Sequence, residues 1–520
     1  MLSAVLIGGM IGAIPAPAEA AQAPTPADPL AGGNAYALYR NLVDAARFDG
    51  FLFGQQHANW DSKRYTVDDG RIHQWRGGQD PPGSVDGFLS DIELATMLTP
   101  GMETRSPAVF GFNLQTALNL KPESQRLYAE RIVQAYATGS VVSVHFPARN
   151  PVTGGDHKDV SANLLCLLSS DWDDPPAEAA GAVDAWKSAL SAGADFIDLV
   201  NEVWRDPDDD GLKERTGRVA MVLRPYHEML RIRHWWAAPY YYEVPGVCER
   251  DAAAAFRSLW RQTVEHIVNV DDPTTVPVEG LDVHGLLFAW SPDRPSSSPG
   301  WEAFYPNTGL GDTQRDYVDV IAFDVYEGDP DLFSRQLVAD ASAVVRFNQS
   351  RPPAQREVVA LGEVGRGGGL AGLTDVNWYS KHLLRPLVEA GLANRIAYAM
   401  TWTNFDADHY WVPLPCFNLP ACSAIDEVGH AYGDDAGAGD SMSGFRAFVN
   451  SSATIFREDL PTWWRAPKGT LPASPSRTWS VVFRAPCLTI TPAQAATSPS
   501  DLGWCTMFPV VGNTGRIPMR

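Results

Sequence analysis

The chain has 520 residues and a formal net charge of −21. Binding to nucleic acid needs clustered lysine and arginine side chains, and the sequence contains no such cluster, so a nucleic-acid partner is excluded. The hydrophobic fraction of 45% and the charged fraction of 20% are typical of a folded globular protein. The 17 Trp and 16 Tyr suit either ordinary core packing or stacking on sugar rings.

The N-terminus begins with an apolar run over residues 2–14 that is too short to span a bilayer. Small residues follow it, and Ala18–Ala20 fits a cleavage site, so residues 1–22 are predicted to be a signal peptide. No Lys or Arg precedes the run, which leaves a disordered or mis-started N-terminus as the alternative. No other segment is apolar for long enough to anchor the chain. We therefore expect a secreted monomer that has no membrane partner.

Six cysteines are consistent with an oxidising compartment. Cys416 and Cys422 flank a short loop and Cys487 and Cys505 flank a C-terminal stretch, so each of these is a candidate pair, with Cys166 and Cys248 left over. Six cysteines allow 15 pairings, so the sequence does not decide between them. The chain has no CxxC motif and no closely spaced Cys/His set. We expect no metal and no cofactor.

Eight short apolar runs recur along the chain, and most precede a stretch of helical periodicity. Buried apolar strands that alternate with helices predict a parallel sheet, and eight such units predict an α/β fold of the (β/α)8 TIM-barrel type. An open doubly wound sheet is the alternative, but no G-x-G-x-x-G follows the first run. The runs are 51–57, 108–113, 141–145, 220–228, 286–291, 318–326, 358–363 and 396–402.

The predicted barrel occupies residues 34–465, after a Pro/Ala-rich linker over residues 23–33. Residues 466–520 are rich in Pro, Ser and Thr and are too few for a confident second domain without cross-links. We interpret them as a C-terminal extension that disulfides hold against the barrel. A small carbohydrate-binding module is the alternative.

Polar or aromatic residues end nearly every predicted strand. In a TIM barrel these ends and the loops that follow them build the active site, so these residues are expected to converge on one face. They are His57, Asn113, His145, Glu228, Ser291, Asp324, Tyr326, Glu363 and Trp402.

Glu228 and Glu363 end the fourth and seventh predicted strands, on opposite sides of the barrel mouth. Glycosidic hydrolysis needs one carboxylic acid that protonates the leaving oxygen and a second carboxylate that attacks carbon or activates water. Asp324 and Tyr326 lie two residues apart on one strand and therefore point the same way. A tyrosine hydroxyl in that place can keep a nucleophilic carboxylate ionised.

A second acidic candidate is Glu202, because Asn201-Glu202 resembles the Asn-Glu pair that carries the acid in many barrel glycosidases. It follows an amphipathic stretch, so we predict that Glu202 is helical and structural. The cluster Asp206, Asp208, Asp209 and Asp210 lacks the glycine and terminal glutamate of an EF-hand, and we interpret it as a solvated acidic loop rather than a calcium site.

An ordered series of motifs across most of residues 50–412 resembles glycoside hydrolase family 26, the family of many endo-β-1,4-mannanases. Each motif is weak alone, and the order is what makes the series specific. The motifs are Gly54–His57, Pro107–Gly111, Val144–His145, Asn150–Gly155, Arg224–Met229 with Trp235–Trp236, Trp290–Asp293, Tyr317–Tyr326, Gly362–Gly365 and Trp402.

The resemblance implies a retaining enzyme that cleaves a β-1,4-linked mannan-type polysaccharide. Glu228 would be the general acid/base and Glu363 the nucleophile, with carboxyl groups ~5–5.5 Å apart. The resemblance also gives roles to residues around the pair: His145 and His227 would contact the sugar, Asp324 would orient His227, Tyr326 would bond Glu363, and Trp402 would stack on the sugar. Trp235, Trp236 and Trp290 are further expected substrate contacts.

The chain departs from the family after its acid. Where the family often has Asn-Gly and then a Trp five residues after the acid, this chain has Leu230, Arg231 and Arg233. A Tyr is usual at Trp290 and an Asp at Asn113. These differences leave open whether the arginines contact acidic decorations on a substrate or pair with the acidic surface.

Three other functions remain open from the sequence. A xylanase or mixed-linkage β-glucanase of the same family would use the same two carboxylates. A non-catalytic carbohydrate-binding barrel is disfavoured by the intact acidic pair. A metal-dependent hydrolase is disfavoured because the first strand lacks an H-x-H motif. The sequence does not distinguish endo from exo action, which depends on the loops at the barrel mouth.

Overall fold

The computed structural model describes most of the region between residues 25 and 464. The described residues are 25–45, 48–60, 64–68, 71–75, 90–98, 102–161, 164–231, 233–237, 251–269, 280–310, 316–371, 373, 375, 377–405, 409–413, 438–461 and 464. The predicted signal peptide and C-terminal extension lie outside them, as do all the cysteines except the buried Cys166. The proposed cysteine pairs therefore stay predictions.

Eight parallel strands form a closed barrel, which confirms the predicted fold class. Each strand pairs with the next along the chain, and the last pairs with the first through the register Leu52↔Tyr398 to Gln55↔Thr401. We number them β1 (Phe51–Gln56), β2 (Val109–Asn113), β3 (Val141–Phe146), β4 (Met221–Pro225), β5 (Leu286–Trp290), β6 (Val320–Glu327), β7 (Val358–Arg366) and β8 (Tyr398–Thr401). Each predicted run overlaps one of them, and β3, β6 and β7 extend beyond the ends of their runs.

Helices surround the barrel. They are α1 (Gly32–Asp44), α2 (Asp91–Leu98), α3 (Leu114–Asn119), α4 (Pro122–Ala137), α5 (Leu164–Leu168), α6 (Ala177–Arg205), α7 (Ala252–Val268), α8 (Pro330–Ser350), α9 (Arg385–Glu389), which a π-helix over Tyr379–Leu384 precedes, and α10 (Ala438–Val449). A hairpin of Arg64–Asp68 and Arg71–Trp75 follows β1, and Thr454–Ile455 adds a short parallel strand beside β1. No described helix has the length and hydropathy needed to cross a membrane.

Alternation along the strands separates the packing side from the barrel interior. On β5, Trp290 stacks on Trp301 at a centroid distance of 5.6 Å, whereas the next residue, Ser291, donates a hydrogen bond of 3.1 Å to Asp324 of β6. Successive side chains of a strand point to opposite faces. The apolar residues therefore bind the helices to the barrel while the polar ones meet inside its mouth.

A β-bulge on β7 sets the direction of Glu363. Phe323 of β6 pairs with Leu361, but the next residue, Asp324, pairs with Glu363, so Gly362 is the extra residue. A Cβ atom at Gly362 would lie 2.8 Å from both Arg224 Nη1 and Asp324 Oδ1. Bulges re-aim side chains beside active sites, and only glycine leaves room for this one.

Part of the predicted linker is packed structure rather than a spacer. The backbone N–H of Ala27 donates to the buried carboxylate of Asp319 at 2.6 Å, and Asp28 pairs with His284 at 3.1 Å. Helix α1 already begins at Gly32. The linker over residues 23–33 is corrected accordingly, because Ala27 and Asp28 are buried against the strand ends opposite the mouth.

Replacing Gly54 with alanine is expected to destabilise the barrel. A Cβ atom at Gly54 of β1 would lie 2.6 Å from the Cβ of Val109 on β2, whereas one at Gly181 in helix α6 meets nothing within 4 Å. Overpacking of this kind costs about 1–3 kcal/mol. Gly181→Ala is the matched control and is expected to stabilise the helix by roughly 0.5–1 kcal/mol. Urea unfolding midpoints of the two variants measure the difference, and equal midpoints would contradict this close packing of β1 on β2.

Candidate active site

The two candidate carboxylates are both buried at the barrel mouth. Glu228 lies in the turn after β4 and is 2% exposed, and Glu363 lies on β7 and is 5% exposed. Carboxylates are rarely buried to this extent unless they are paired. Each of the two has its own set of cationic partners.

The side chain of Arg224, on β4, lies between Glu363 and Asp324 and is itself fully buried. Its Nη1 donates to both oxygens of Asp324, at 2.8 and 3.1 Å, and its Nη2 donates to Glu363 Oε1. Ser291 donates a further hydrogen bond to Asp324. One guanidinium group thus donates hydrogen bonds to two buried carboxylates on adjacent strands. Its planar arrangement of N–H donors suits this geometry.

Tyr326 holds the second oxygen of Glu363, as expected from its position on β6. Its hydroxyl donates to Glu363 Oε2 at 3.3 Å. Burial raises the pKa of Glu363 to about 8, Arg224 acts against that shift, and the charges of Asp324 and Glu228 add to it. The hydrogen bonds fix the carboxylate in position, and its protonation depends on the charge state of its neighbours.

Glu228 has two arginine partners, both from the loop that follows it. Arg233 donates to Oε2 through Nε, at 3.0 Å, and through Nη2, and the Nη1 of Arg231 lies 3.5 Å from Oε1. His234 Nε2 lies 3.4 Å from the same Oε2. Burial raises the pKa of Glu228, but the hydrogen bond with His234 and the charges of Arg231 and Arg233 outweigh it and lower the pKa to about 2.

Asp293 anchors one of these arginines. The Nε of Arg231 donates to its Oδ2, and Asp293 is 4% exposed. Burial and the nearby charge of Glu228 raise the pKa of Asp293 to about 8, although Arg231 lowers it. Arg231 therefore bridges two buried acids, whereas Arg233 contacts Glu228 alone among the acids of the described residues.

Histidine and tryptophan rings form the wall beside the carboxylates. His145 contacts His57 and His227 at centroid distances of 5.6 Å, and Trp402 at 5.9 Å. Its Nδ1 lies 2.9 Å from the carbonyl oxygen of Phe112, which can only accept, so this nitrogen carries the proton. Burial lowers the pKa of both His145 and His227 well below the usual value, so both rings are neutral at neutral pH. The half-buried Trp402 gives the wall an accessible aromatic face.

Several residues at the mouth have left-handed backbone conformations. The φ angles are +52° at Glu228, +51° at Tyr226, +54° at His57 and +76° at Asp293. None of these residues is glycine, and such strain persists only where the surrounding structure enforces it, typically at functional sites. The turn after β4 is thus held in a conformation that aims Glu228 into the mouth.

The chain is similar to proteins of one glycoside hydrolase family. Residues 194–358 match the family model described as Glycosyl hydrolase family 26. A mannan endo-1,4-β-mannosidase of Bifidobacterium adolescentis is 26% identical over 395 residues, which cover 71% of this chain and 31% of that protein. The chain thus spans about a third of the length of that curated relative.

Two solved structures share the fold. A modular endo-β-1,4-mannanase from Cellulomonas fimi has a TM-score of 0.58 at 23% identity, over 86% of this chain and 80% of that one. The catalytic domain of a family 26 endo-β-1,4-mannanase from Bacillus sp. JAMB-750 has a TM-score of 0.60 at 20% identity, over 86% and 97%. The resemblance to glycoside hydrolase family 26 is confirmed.

Three tryptophans that the family 26 resemblance placed at the sugar do not lie in the mouth. Trp290 packs between the barrel and Trp301, and Trp235 packs against Trp186 and donates to the carbonyl oxygen of Ala148 at 2.8 Å. All three are fully buried. Trp290 precedes the inward-facing Ser291 and so points outward. The expected sugar contacts of Trp235, Trp236 and Trp290 are corrected to packing roles.

Trp236 supports the site from behind. Its Nε1 donates to the carbonyl oxygen of His227 at 2.8 Å, and its ring stacks on His234 at 4.7 Å with an interplanar angle of 10°. It therefore fixes the two histidines that flank Glu228. This role is positional, whereas a stacking platform for sugar would need an exposed face.

Asp324 does not orient His227 as the resemblance implied. Both of its oxygens accept from Arg224, and Ser291 adds a third hydrogen bond, while His227 Nδ1 has no protein partner within the described residues. The expected pairing of Asp324 with His227 is wrong because the side chain of Arg224 lies between Asp324 on β6 and Glu363 on β7 and donates to both oxygens of Asp324. The free nitrogen of His227 remains available to a hydroxyl group.

Of the other acidic candidates, Glu202 is helical, as predicted. Glu202 lies near the end of helix α6 with an exposed side chain, while Asn201 accepts from the backbone N–H of Val219 at 2.9 Å. Asp206, Asp208, Asp210 and Glu214 lie close enough together to hold a cation, but they are exposed or only half-buried. His227, Glu228 and His234 are similarly close, yet the guanidinium groups on Glu228 oppose a cation there.

Sequence reasoning missed three residues of this network. Arg224 and Asp293 stood in the Arg224–Met229 and Trp290–Asp293 motifs without a role, and His234 was in no motif. A usable signal existed for Arg224, since a charged residue inside an otherwise apolar strand has to be paired. No comparable signal marks Asp293, whose partner Arg231 lies 62 positions away in the chain.

Arg224→Ala is expected to destabilise the protein by about 3–5 kcal/mol, because it leaves two buried carboxylates without their cation. Without the guanidinium group, the pKa values of Asp324 and Glu363 rise further above the values of about 6 and about 8 that they have in the unchanged protein. The deficit relative to the unchanged protein should therefore grow as the pH rises from about 6 to about 9, where the unchanged protein ionises these acids more readily than the variant. Urea unfolding across this range measures it.

Arg126→Ala is the matched control, since the ion pairs of Arg126 with described residues are surface pairs with Glu130 and Asp209. Such pairs are worth at most about 1 kcal/mol. A deficit of Arg224→Ala that is no larger than this control, or that does not change with pH, would show that the guanidinium does not stabilise the two acids.

Proposed function

We propose that this protein is a secreted retaining β-mannanase that cleaves β-1,4-linked mannan by double displacement. The observation that supports it most is the pair of buried carboxylates on β7 and after β4, each held by arginine at the mouth of a family 26 barrel. The mannan specificity is supported by the mannanase relatives. Other β-glycans stay open because the loop after Glu228 differs from the family.

Glu363 is proposed as the nucleophile. Arg224 and Tyr326 each donate to one of its oxygens, which fixes the carboxylate for attack on the anomeric carbon. As the new C–O bond forms, the bond to the leaving sugar breaks and its electron pair goes to the leaving oxygen. The two hydrogen bonds favour the ionised carboxylate that the attack requires, and they stabilise the charge that returns to Glu363 when water displaces it in the second step.

Glu228 is proposed as the general acid and then the general base. It gives its proton to the leaving oxygen in the first step and accepts one from water in the second, when the water displaces Glu363 from the sugar. The first step requires Glu228 protonated and Glu363 ionised. In the free protein the pKa of Glu228 is lowered and that of Glu363 is raised. The free protein therefore favours an ionised Glu228 and a protonated Glu363, which is the reverse of what the first step requires.

The surrounding rings are proposed to bind the sugar that Glu363 attacks. His145 and His227 are neutral and can exchange hydrogen bonds with hydroxyl groups, and Trp402 offers a face for stacking. A neutral polysaccharide suits such a wall. No cofactor is needed for this chemistry.

Glu363→Ala should reduce mannan hydrolysis below detection, and Glu228→Ala should reduce it by at least about a hundredfold, as is typical of a lost general acid. Azide added to Glu363→Ala should restore cleavage of an activated aryl mannoside and give the α-glycosyl azide, whereas Glu228→Ala should give the β-azide. Proton NMR of the products identifies the anomer.

Glu202→Ala serves as the control for these variants, because Glu202 is exposed on helix α6. It should keep the rate of the unchanged protein. Full activity of both Glu228→Ala and Glu363→Ala on mannan, galactomannan, glucomannan, xylan and lichenan would contradict the assignment. If the unchanged protein cleaves only xylan or only lichenan, and the variants lose that activity, the substrate is a different β-glycan.

Secretion is proposed from the N-terminal sequence alone. Expressed with its first 22 residues in a secreting bacterial host, the protein should appear in the medium and begin near residue 21–23. N-terminal sequencing of the secreted protein checks this. Recovery of a chain that still begins at Met1 and stays inside the cell would contradict it.

A further inference from the structure

The loop after the proposed acid places two cations on the carboxylate that must donate a proton. Arg233 contacts Oε2 of Glu228 and Arg231 approaches Oε1, so both oxygens face guanidinium groups. A carboxyl group surrounded in this way does not readily accept a proton. Within the proposed function, some event has to loosen this contact before Glu228 can act as an acid.

The two arginines differ in how firmly they are held. Arg231 is also paired with the buried Asp293, and its side chain is 27% exposed. Arg233 has no other acidic partner in the described part of the chain, and its side chain is 46% exposed. Arg233 can therefore leave Glu228 more readily than Arg231 can, provided that another anion takes its guanidinium group and Glu228 takes up a proton.

The position of Arg233 indicates where that anion must come from. The general acid protonates the oxygen that joins the two sugars, so groups on its carboxylate lie beside the leaving sugar. Sugar hydroxyls are weak competitors for a guanidinium that already has a carboxylate. A second carboxylate competes on equal terms and can form two parallel hydrogen bonds with it.

We propose that the preferred substrate is a β-glycan with a carboxylate on the leaving sugar, and that this carboxylate takes Arg233 from Glu228 so that Glu228 can donate its proton. Glu228 gains this proton from solvent or from Glu363 as Arg233 leaves. The proton then passes to the glycosidic oxygen while the C–O bond breaks and Glu363 bonds to carbon.

The other charges around Glu228 permit this change. Facing it are Arg231 and His234 from its own loop, Asp293 after β5, Asp324 and Tyr326 on β6 and Glu363 on β7. With Arg233 gone, burial and these acids are opposed only by Arg231 and His234 among the groups that act on Glu228, so the pKa of Glu228 rises. The net charge of −21 repels a dense polyanion, so a sparsely acidic chain is the expected substrate.

The test compares matched polymers on the full chain. One is β-1,4-mannan in which a small fraction of the C6 hydroxyls is oxidised to carboxylates, and the other is a mannan with glucuronate side groups. Each is assayed beside its carboxyl-reduced form, which has the same backbone without the charge. The unchanged protein should cleave at least one acidic polymer with a kcat/KM about ten- to a hundredfold above its reduced form.

Arg233→Trp, which restores the residue usual in the family, should lose this preference and cleave neutral mannan faster than the unchanged protein. It should also move the alkaline limb of the kcat/KM profile on neutral mannan to higher pH, because the pKa of Glu228 rises when the cation is removed. Arg126→Ala, on helix α4, removes an arginine from a surface ion pair and should keep both the preference and the pH profile.

The outcomes separate the two proposals. Equal rates on acidic and reduced polymers, or a preference that Arg233→Trp retains, would overturn the role of the substrate carboxylate and leave the mannanase assignment intact. Cleavage of none of the polymers would overturn the proposed function itself. Preference for the oxidised backbone or for the side-chain glucuronate identifies which carboxylate reaches Arg233.

Discussion

The buried guanidinium group of Arg224 is the interaction on which the mouth of this barrel depends. It is fully enclosed, and it connects β4 to Asp324 on β6 and to Glu363 on β7. A cation so deeply buried is tolerated only because two carboxylates surround it, and they are tolerated only because of it. The two ion pairs of Arg224 therefore hold the three strands together at the mouth and also fix the orientation of the proposed nucleophile.

The backbone supplies the geometry that this arrangement needs. The bulge at Gly362 turns Glu363 inward, and the left-handed turn at Tyr226 and Glu228 directs the second acid toward the same space. Trp235 and Trp236 pack behind that turn and fix it. The aromatic residues that the sequence suggested as sugar contacts thus serve in part to hold the strained loop that carries Glu228.

The contrast between the two acids is the chemical feature that distinguishes this chain. Glu363 interacts with a rigid, fully buried arginine, whereas Glu228 interacts with a half-exposed one on a loop. A rigid partner suits a group that must stay in one place. A half-exposed partner suits the proposed acid/base, which changes its protonation state in the proposed reaction.

The sequence by itself determined the eight strands, the barrel and the positions of Glu228, Glu363, Tyr326 and Asp324 toward the carboxyl ends of their strands. Strand and helix periodicity and the direction of a parallel strand are local properties. Only the tertiary structure decided which side chains meet. Arg224 pairs with residues about 100 and 139 positions away, and Trp290 faces the helices rather than the mouth. Such contacts depend on strand register and on the bulge at Gly362, which place residues distant in the chain against each other.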